Sequence, residues 1–132
     1  MRDHKTITIH WLIVLLALAL GIRLWVAFGS GLRWDTGDTP VYFSFADALQ
    51  QRAYVAPYLF PGYSYLIASL DHFGNRALTM IVFNIVASTL ACWFVYRLSL
   101  TITESKNAAF AGLALIALYP HHINWVRYIS SD

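Results

Sequence analysis

Residues 33–65 read RWDTGDTPVYFSFADALQQRAYVAPYLFPGYSY, a polar and aromatic segment between long hydrophobic runs. Loops of more than about 12–15 residues are usually functional or disordered, and this one is too rich in aromatic residues for disorder. The hydrophobic runs on either side, 7–28 and 77–98, are long enough to cross the roughly 30 Å hydrocarbon core of a bilayer. The pattern predicts a loop over 29–76 at the membrane surface that carries the chemistry, framed by membrane-spanning helices.

The composition of the whole chain agrees with a membrane protein. Of its 132 residues, 58% are hydrophobic and 12% are charged, whereas soluble domains are about 25% charged. The net charge of +2, without a basic patch interleaved with aromatic residues, argues against nucleic acid as a partner. The single cysteine, Cys92, excludes a disulfide or a cysteine metal site within the chain. We therefore expect an integral, multi-pass protein in contact with membrane lipids.

A third hydrophobic run covers 107–126, so the predicted fold class is all-α, a polytopic membrane protein with about three transmembrane helices. Pro120 is expected to kink or end the third helix, because proline lacks a backbone N–H. A cleaved signal peptide is the alternative for 7–28, given the basic start of the chain and the small residues Gly29 and Ser30. The two further spans favour the multi-pass interpretation.

Two short juxtamembrane helices are predicted within the loop. Thr39 as N-cap and Pro40 as the first helical residue mark the start of a helix over 40–51. Residues 62–73 have apolar side chains at helical spacing, which predicts a second helix that lies on the membrane and ends at Gly74.

Asp38 is the first candidate for a catalytic residue. It precedes the predicted helix 40–51, where free N–H groups and the positive end of the helix dipole favour a negative charge. An ordinary cap or turn residue is the alternative, and the two roles are compatible because a carboxylate has about four lone-pair sites. Asp35, three residues earlier, either shares the site or is a solvated loop residue.

A second carboxylate and three arginines are expected on the face that carries Asp38. Asp132 follows the third hydrophobic run and returns to that face, where two carboxylates suit a metal or an acid–base pair; an interfacial charge is the alternative. Arg33, Arg52 and Arg127 flank the same face, and guanidinium groups suit phosphate or lipid headgroups. A divalent metal fits this set but is not required by it.

Other polar residues are interpreted as structural. Asp47 and Asp71 are expected to be surface charges on the loop helices. His121 and His122 are adjacent, so on a helix they point about 100° apart and cannot easily share a metal. Asn84 is the polar exception within the second hydrophobic span.

Three segments together resemble a known family. GDTPVYFSFADALQQ spans 37–51, FPGYSYLIASLDHFG spans 60–74 and, after a hydrophobic span, ALYPHHINWVRYISSD spans 117–132. Their order resembles the amino-terminal part of the GT-C glycosyltransferases, most closely the polyprenyl- or dolichyl-phosphate-sugar-dependent group that includes protein mannosyltransferases and the aminoarabinose transferase of lipid A. Such enzymes carry many more helices, so the resemblance implies an amino-terminal fragment.

The resemblance extends to single positions. Asp38 and Tyr42 match a Gly-Asp-(Ser/Thr)-x-x-Tyr context in the family's first external loop, and residues 61–63 match its Pro-Gly/Pro-Pro-x-Tyr motif. Arg23 matches an arginine in the first membrane helix; from its place near the outer end of that run, we expect it to reach towards the surface. Asp132 stands where the family usually has a glutamate.

The resemblance implies an inverting transfer of a hexose of the mannose type at the outer face of the membrane. The donor would be a polyprenyl-phosphate-linked sugar, and the acceptor a glycan, a lipid or a protein. Phosphate is a good leaving group, so Asp38 as base and an arginine clamp suffice. Tyr42 and Tyr63 would contact the sugar or the acceptor. The alternative is a non-enzymatic small helical membrane protein, such as a transporter piece or an assembly subunit.

Overall fold

The computed structural model describes residues 3–29, 37–53 and 61–128, and every regular element in these ranges is helical. This confirms the all-α prediction. The α-helices are α1 (Asp3–Gly29), α2 (Thr39–Gln50), α3 (Pro61–Leu70), α4 (Arg76–Thr103), α5 (Lys106–Leu118) and α6 (Pro120–Asn124). Short 3₁₀ helices follow α3 at Asp71–Phe73 and α6 at Trp125–Arg127.

Two helices are long and apolar enough to cross a membrane, over Thr8–Gly29 in α1 and Arg76–Thr103 in α4. They run antiparallel, because Ala27 near the end of α1 packs with Ile81 near the start of α4. Ala19 and Cys92 pack together further along the pair. Both helices extend beyond the predicted bounds of 7–28 and 77–98.

The third predicted span, 107–126, is not a continuous helix. α5 ends at Leu118, and Tyr119 takes an extended conformation (φ −65°, ψ 114°) before α6 begins. Pro120 is the cause, because it offers no N–H and disfavours a helical conformation in the preceding residue. The 13 residues of α5 extend only about 20 Å, less than the roughly 30 Å of a hydrocarbon core.

Small residues bring α5 close to α4. A Cβ atom at Gly112 would lie 2.8 Å from Ser99 Oγ, so the absence of a side chain permits the close approach. The core between α1, α4 and α5 consists of Ala19, Cys92, Tyr96, Ala109, Leu113 and Ala117.

The two loop helices form where the sequence predicts them and pack on the start of α4. α2 starts one residue early, so Asp38 rather than Thr39 occupies the N-cap position. α3 ends at Leu70, and Gly74 stops the 3₁₀ turn with φ +102°, a backbone conformation that glycine adopts without strain. The shared core comprises Tyr42, Ala46, Ile67, Ala77 and Met80.

Candidate functional site

Asp38 lies at the start of α2 with its carboxylate unused by the helix. Its backbone carbonyl oxygen accepts from the N–H groups of Val41 (3.0 Å) and Tyr42 (3.1 Å). Its side chain makes no capping hydrogen bond, because the residue has αR angles (φ −83°, ψ −2°) and not the β-region angles that aim a side chain at the helix end. The half-buried carboxylate can therefore accept a hydrogen bond from an external hydroxyl group.

A series of contacts leads from Asp38 to the segment after α6. Tyr42, one turn into α2, stands edge-on to Tyr63 of α3, with ring centroids 5.3 Å apart and an interplanar angle of 81°. Tyr63 Oη donates to Asn84 Oδ1 (3.0 Å), and Asn84 Nδ2 donates to the carbonyl oxygen of Tyr128 (3.0 Å). We call Tyr42, Tyr63, Asn84 and Tyr128 the tyrosine–asparagine cluster; it joins α2, α3, α4 and the segment after α6.

The two tyrosines predicted to contact a sugar differ in their exposure. Tyr42 is 0% exposed and belongs to the core under α2. Its contribution is therefore to packing beneath the site and not to direct contact with a sugar. Tyr63 is half-buried. Burial raises the pKa of its phenol, which therefore stays protonated and donates to Asn84.

The two described arginines of the predicted set, Arg52 and Arg127, differ in their surroundings. Arg127 is next to the tyrosine–asparagine cluster: its Nη2 donates to Tyr128 Oη at 3.1 Å, and its guanidinium carbon lies 5.1 Å from the centroid of that ring. Arg52 follows the far end of α2, and the 12 residues of that helix separate it from Asp38 by about 18 Å. The structure therefore brings Arg127, and not Arg52, to the cluster.

Arg33, Asp35 and Asp132 fall outside the described residues, so their predicted roles stay predictions. Within 3–29, 37–53 and 61–128, no group of three or more His, Cys, Asp or Glu side chains is placed to hold a metal ion.

A network around Arg76 ties the loop helices to α4. Arg76 Nη1 pairs with Asp47 Oδ1 at 2.7 Å, and its Nε and Nη2 donate to the two oxygens of Asp71 at 2.6 and 2.7 Å. Gln50 Nε2 donates to Asp71 Oδ2 at 2.9 Å. The interpretation of Asp47 and Asp71 as simple surface charges missed this network, which holds α2 beside the first turn of α4.

Acid is expected to weaken this network through Asp71. The bidentate bond from Arg76 holds the pKa of the Asp71 carboxyl at about 2, below the ordinary 3.8. Because the pKa is lower in the folded state, the ionised carboxylate stabilises the fold at pH values above the unfolded-state pKa. This stabilisation is lost as the pH falls from about 4 through about 2. Asp71→Asn should therefore cost about 1 kcal/mol at pH 6 and almost nothing near pH 2. Thermal unfolding in detergent across this pH range measures the difference, and a pH-independent difference would contradict it.

Arg23 is fully buried inside the helical core, so the expectation that it reaches the surface is wrong. Its Nε donates to Ser88 Oγ at 2.6 Å, and its Nη2 donates to Cys92 Sγ at 3.3 Å. Its Nη1 donates to the carbonyl oxygens of Ala19 (2.9 Å) and Ala117 (3.4 Å). Neutral acceptors from α1, α4 and α5 therefore surround the guanidinium.

The hydrogen bond to Ala117 brings the Arg23 guanidinium to the carboxyl end of α5. Ala117 is in the last turn of α5, where carbonyl groups lack helical partners and the helix dipole is negative. An uninterrupted helix would pair this carbonyl with the N–H of His121, but the break before Pro120 prevents that bond. Arg23 therefore supplies the Ala117 carbonyl with a donor in place of the missing backbone N–H. His122 reaches the same place, with its Nε2 3.1 Å from Ser88 Oγ.

Arg23, Ser88, Cys92 and His122, with the Ala117 carbonyl, form a second polar cluster. The sequence interpretation missed this cluster, although one signal was present. Asn84, Ser88 and Cys92 follow one another at intervals of four residues in α4. Residues at this spacing share one helix face. Polar side chains in an apolar span usually face a protein interior.

The fold and the site define an α-helical protein with two helices that are long and apolar enough to cross a membrane. Comparison with protein-family models, with curated proteins and with solved structures finds no match to this chain.

Proposed function

We propose that this chain is the amino-terminal part of an inverting membrane glycosyltransferase. The enzyme transfers a hexose from a polyprenyl-phosphate-linked donor to an acceptor hydroxyl at the outer face of the membrane. The observation that carries the proposal is the carboxylate of Asp38, which stands at the start of α2 without capping it. The order of the sequence motifs, which resembles that of the GT-C enzymes, supports the same function.

The chemistry asks for one base and one cation. Asp38 takes the proton of the acceptor hydroxyl while the oxygen attacks the anomeric carbon of the sugar. The bond from that carbon to the phosphate oxygen breaks, and the lipid phosphate leaves with the electron pair. A single displacement inverts the anomeric carbon and needs no general acid, since the leaving phosphate is already a stable anion.

We assign Arg127 to hold the phosphate. It stands beside Tyr128, which the tyrosine–asparagine cluster connects to α2 and α3. A guanidinium offers several donors in a fixed plane and suits phosphate oxygens. α2 and α3 lie at one end of the two apolar helices, where a lipid-linked donor has its sugar in water and its tail in the bilayer.

The proposal places α2 and α3 on the outer side of the membrane. A phosphatase reporter fused after Gly74 is then expected to be active outside the cytoplasm, and one fused after Ser105 inactive, since α4 lies between the two points. A fluorescent protein that matures only in the cytoplasm should give the opposite pattern at both sites. Phosphatase activity after Ser105 together with inactivity after Gly74 would show that α2 and α3 lie on the cytoplasmic side.

The test of function is a transfer assay on the complete protein. The membrane-inserted wild type and Asp38→Asn are supplied with labelled polyprenyl-phosphate hexoses, and incorporation of label into cell-envelope acceptors is measured. Transfer by the wild type that depends on Asp38 supports the proposal. Correctly inserted protein that transfers none of the hexoses would favour the non-enzymatic alternative, a small helical transporter piece or assembly subunit.

A further inference from the structure

A groove of about 360 Å³ opens at the end of the helices opposite to α2 and α3. Thr8, Trp11 and Leu15 of α1 form one wall, and Lys106, Asn107 and Phe110 of α5 form the other. It lies far from Asp38 and the tyrosine–asparagine cluster, because α1 and α5 both begin at this end. The groove therefore belongs to neither the proposed catalytic site nor its donor.

The lining of the groove is polar at its mouth and apolar at its deeper end. Lys106 Nζ donates to Thr8 Oγ1 at 3.4 Å, and the amide of Asn107 is beside them at the start of α5. Trp11, 59% exposed, lies one turn deeper, as does Phe110. Leu15 continues the apolar wall by a further turn. A tryptophan at this depth is typical of the boundary between headgroups and acyl chains.

We propose that the groove binds an anionic phospholipid, with its phosphate at Lys106 and an acyl chain along Trp11, Leu15 and Phe110. Of the six residues that line the groove, Lys106 alone carries a charge, and its contact within the groove is a neutral hydroxyl. A lipid of net negative charge complements that cation. A zwitterionic lipid carries a cationic group of its own, which offsets the charge of its phosphate and weakens the attraction to Lys106. Basic pockets between membrane helices bind acidic headgroups in this way.

The experiment uses the full chain in a neutral detergent with equimolar phosphatidylglycerol and phosphatidylcholine, and native mass spectrometry counts the lipids retained. The wild type should retain phosphatidylglycerol in preference to phosphatidylcholine. Lys106→Gln should weaken phosphatidylglycerol binding about fivefold, the effect of one lysine near a membrane surface. Lys106→Arg should keep the preference.

Arg97→Gln is the matched control. Arg97 is an exposed cation near the end of α4 that stacks on Trp93, with 5.7 Å from its guanidinium carbon to the ring, and it does not line the groove. Its replacement removes the same charge and should leave lipid binding unchanged. Trp11→Ala should weaken the binding of both lipids to the same extent, because it removes apolar surface from the groove and no charge.

Three outcomes would overturn the proposal. The first is equal retention of phosphatidylcholine and phosphatidylglycerol by the wild type. The second is a loss of preference in Arg97→Gln as large as in Lys106→Gln, and the third is an unchanged preference in Lys106→Gln. Because Lys106 is exposed in the first turn of α5, its replacement should not disturb folding. Equal unfolding temperatures of the two glutamine variants check this point.

Discussion

On the proposed mechanism, Asp38→Asn is expected to lower sugar transfer by the complete protein at least about 100-fold, because general-base catalysis contributes about 10²–10⁴-fold. The amide keeps the shape of the carboxylate but cannot take a proton from the acceptor hydroxyl. Folding should be unaffected, since the Asp38 side chain makes no capping bond that the change would remove. The turnover number for a polyprenyl-phosphate hexose, measured beside the amount of inserted protein, separates the two effects.

Two further carboxylates serve as controls for Asp38. Asp35→Asn should lower the turnover number far less, because the sequence favours a solvated position for that residue. Asp132→Asn should fall between the two, and a new dependence on divalent metal would reveal a ligand role. If Asp38→Asn keeps near-normal turnover while the protein is inserted normally, Asp38 is not the base.

Arg23→Ala should destabilise the helical core by about 3 kcal/mol. Removing a large, fully buried side chain leaves a cavity, which typically costs about 2–5 kcal/mol. It also leaves the carbonyl oxygen of Ala117 without its donor, at about 1–3 kcal/mol. Relief of the buried positive charge offsets part of this loss. Unfolding in mixed micelles measures the change, and Arg97→Ala, at an exposed position, should stay within about 0.5 kcal/mol.

A double-mutant cycle with Pro120 tests why Arg23 is needed. Pro120→Ala restores an N–H and lets α5 continue, so that His121 can pair with the Ala117 carbonyl. In that background Arg23→Ala should cost about 1 kcal/mol less than in the wild type, because one acceptor no longer depends on the guanidinium. Strictly additive effects would show that Arg23 does not act on the end of α5.

The sequence by itself determined those features that depend on a few neighbouring residues. Pro40 predicted the start of α2 to within one residue, Gly74 ended the turn after α3, and Pro120 broke the third hydrophobic run. A missing N–H or a glycine with positive φ acts within one turn of backbone, so no tertiary contact is needed to predict it. The apolar character of α1 and α4 follows equally from composition.

Only the tertiary structure decided which polar side chains meet. Arg23 bonds to Ser88 and to Ala117 across separations of 65 and 94 residues, and Asn84 links Tyr63 to Tyr128. These partners depend on how α1, α4, α5 and α6 pack, because a buried polar group must find whichever donor or acceptor the packing brings near. The same packing placed Arg127 beside the tyrosine–asparagine cluster, while the length of α2 kept Arg52 away from Asp38.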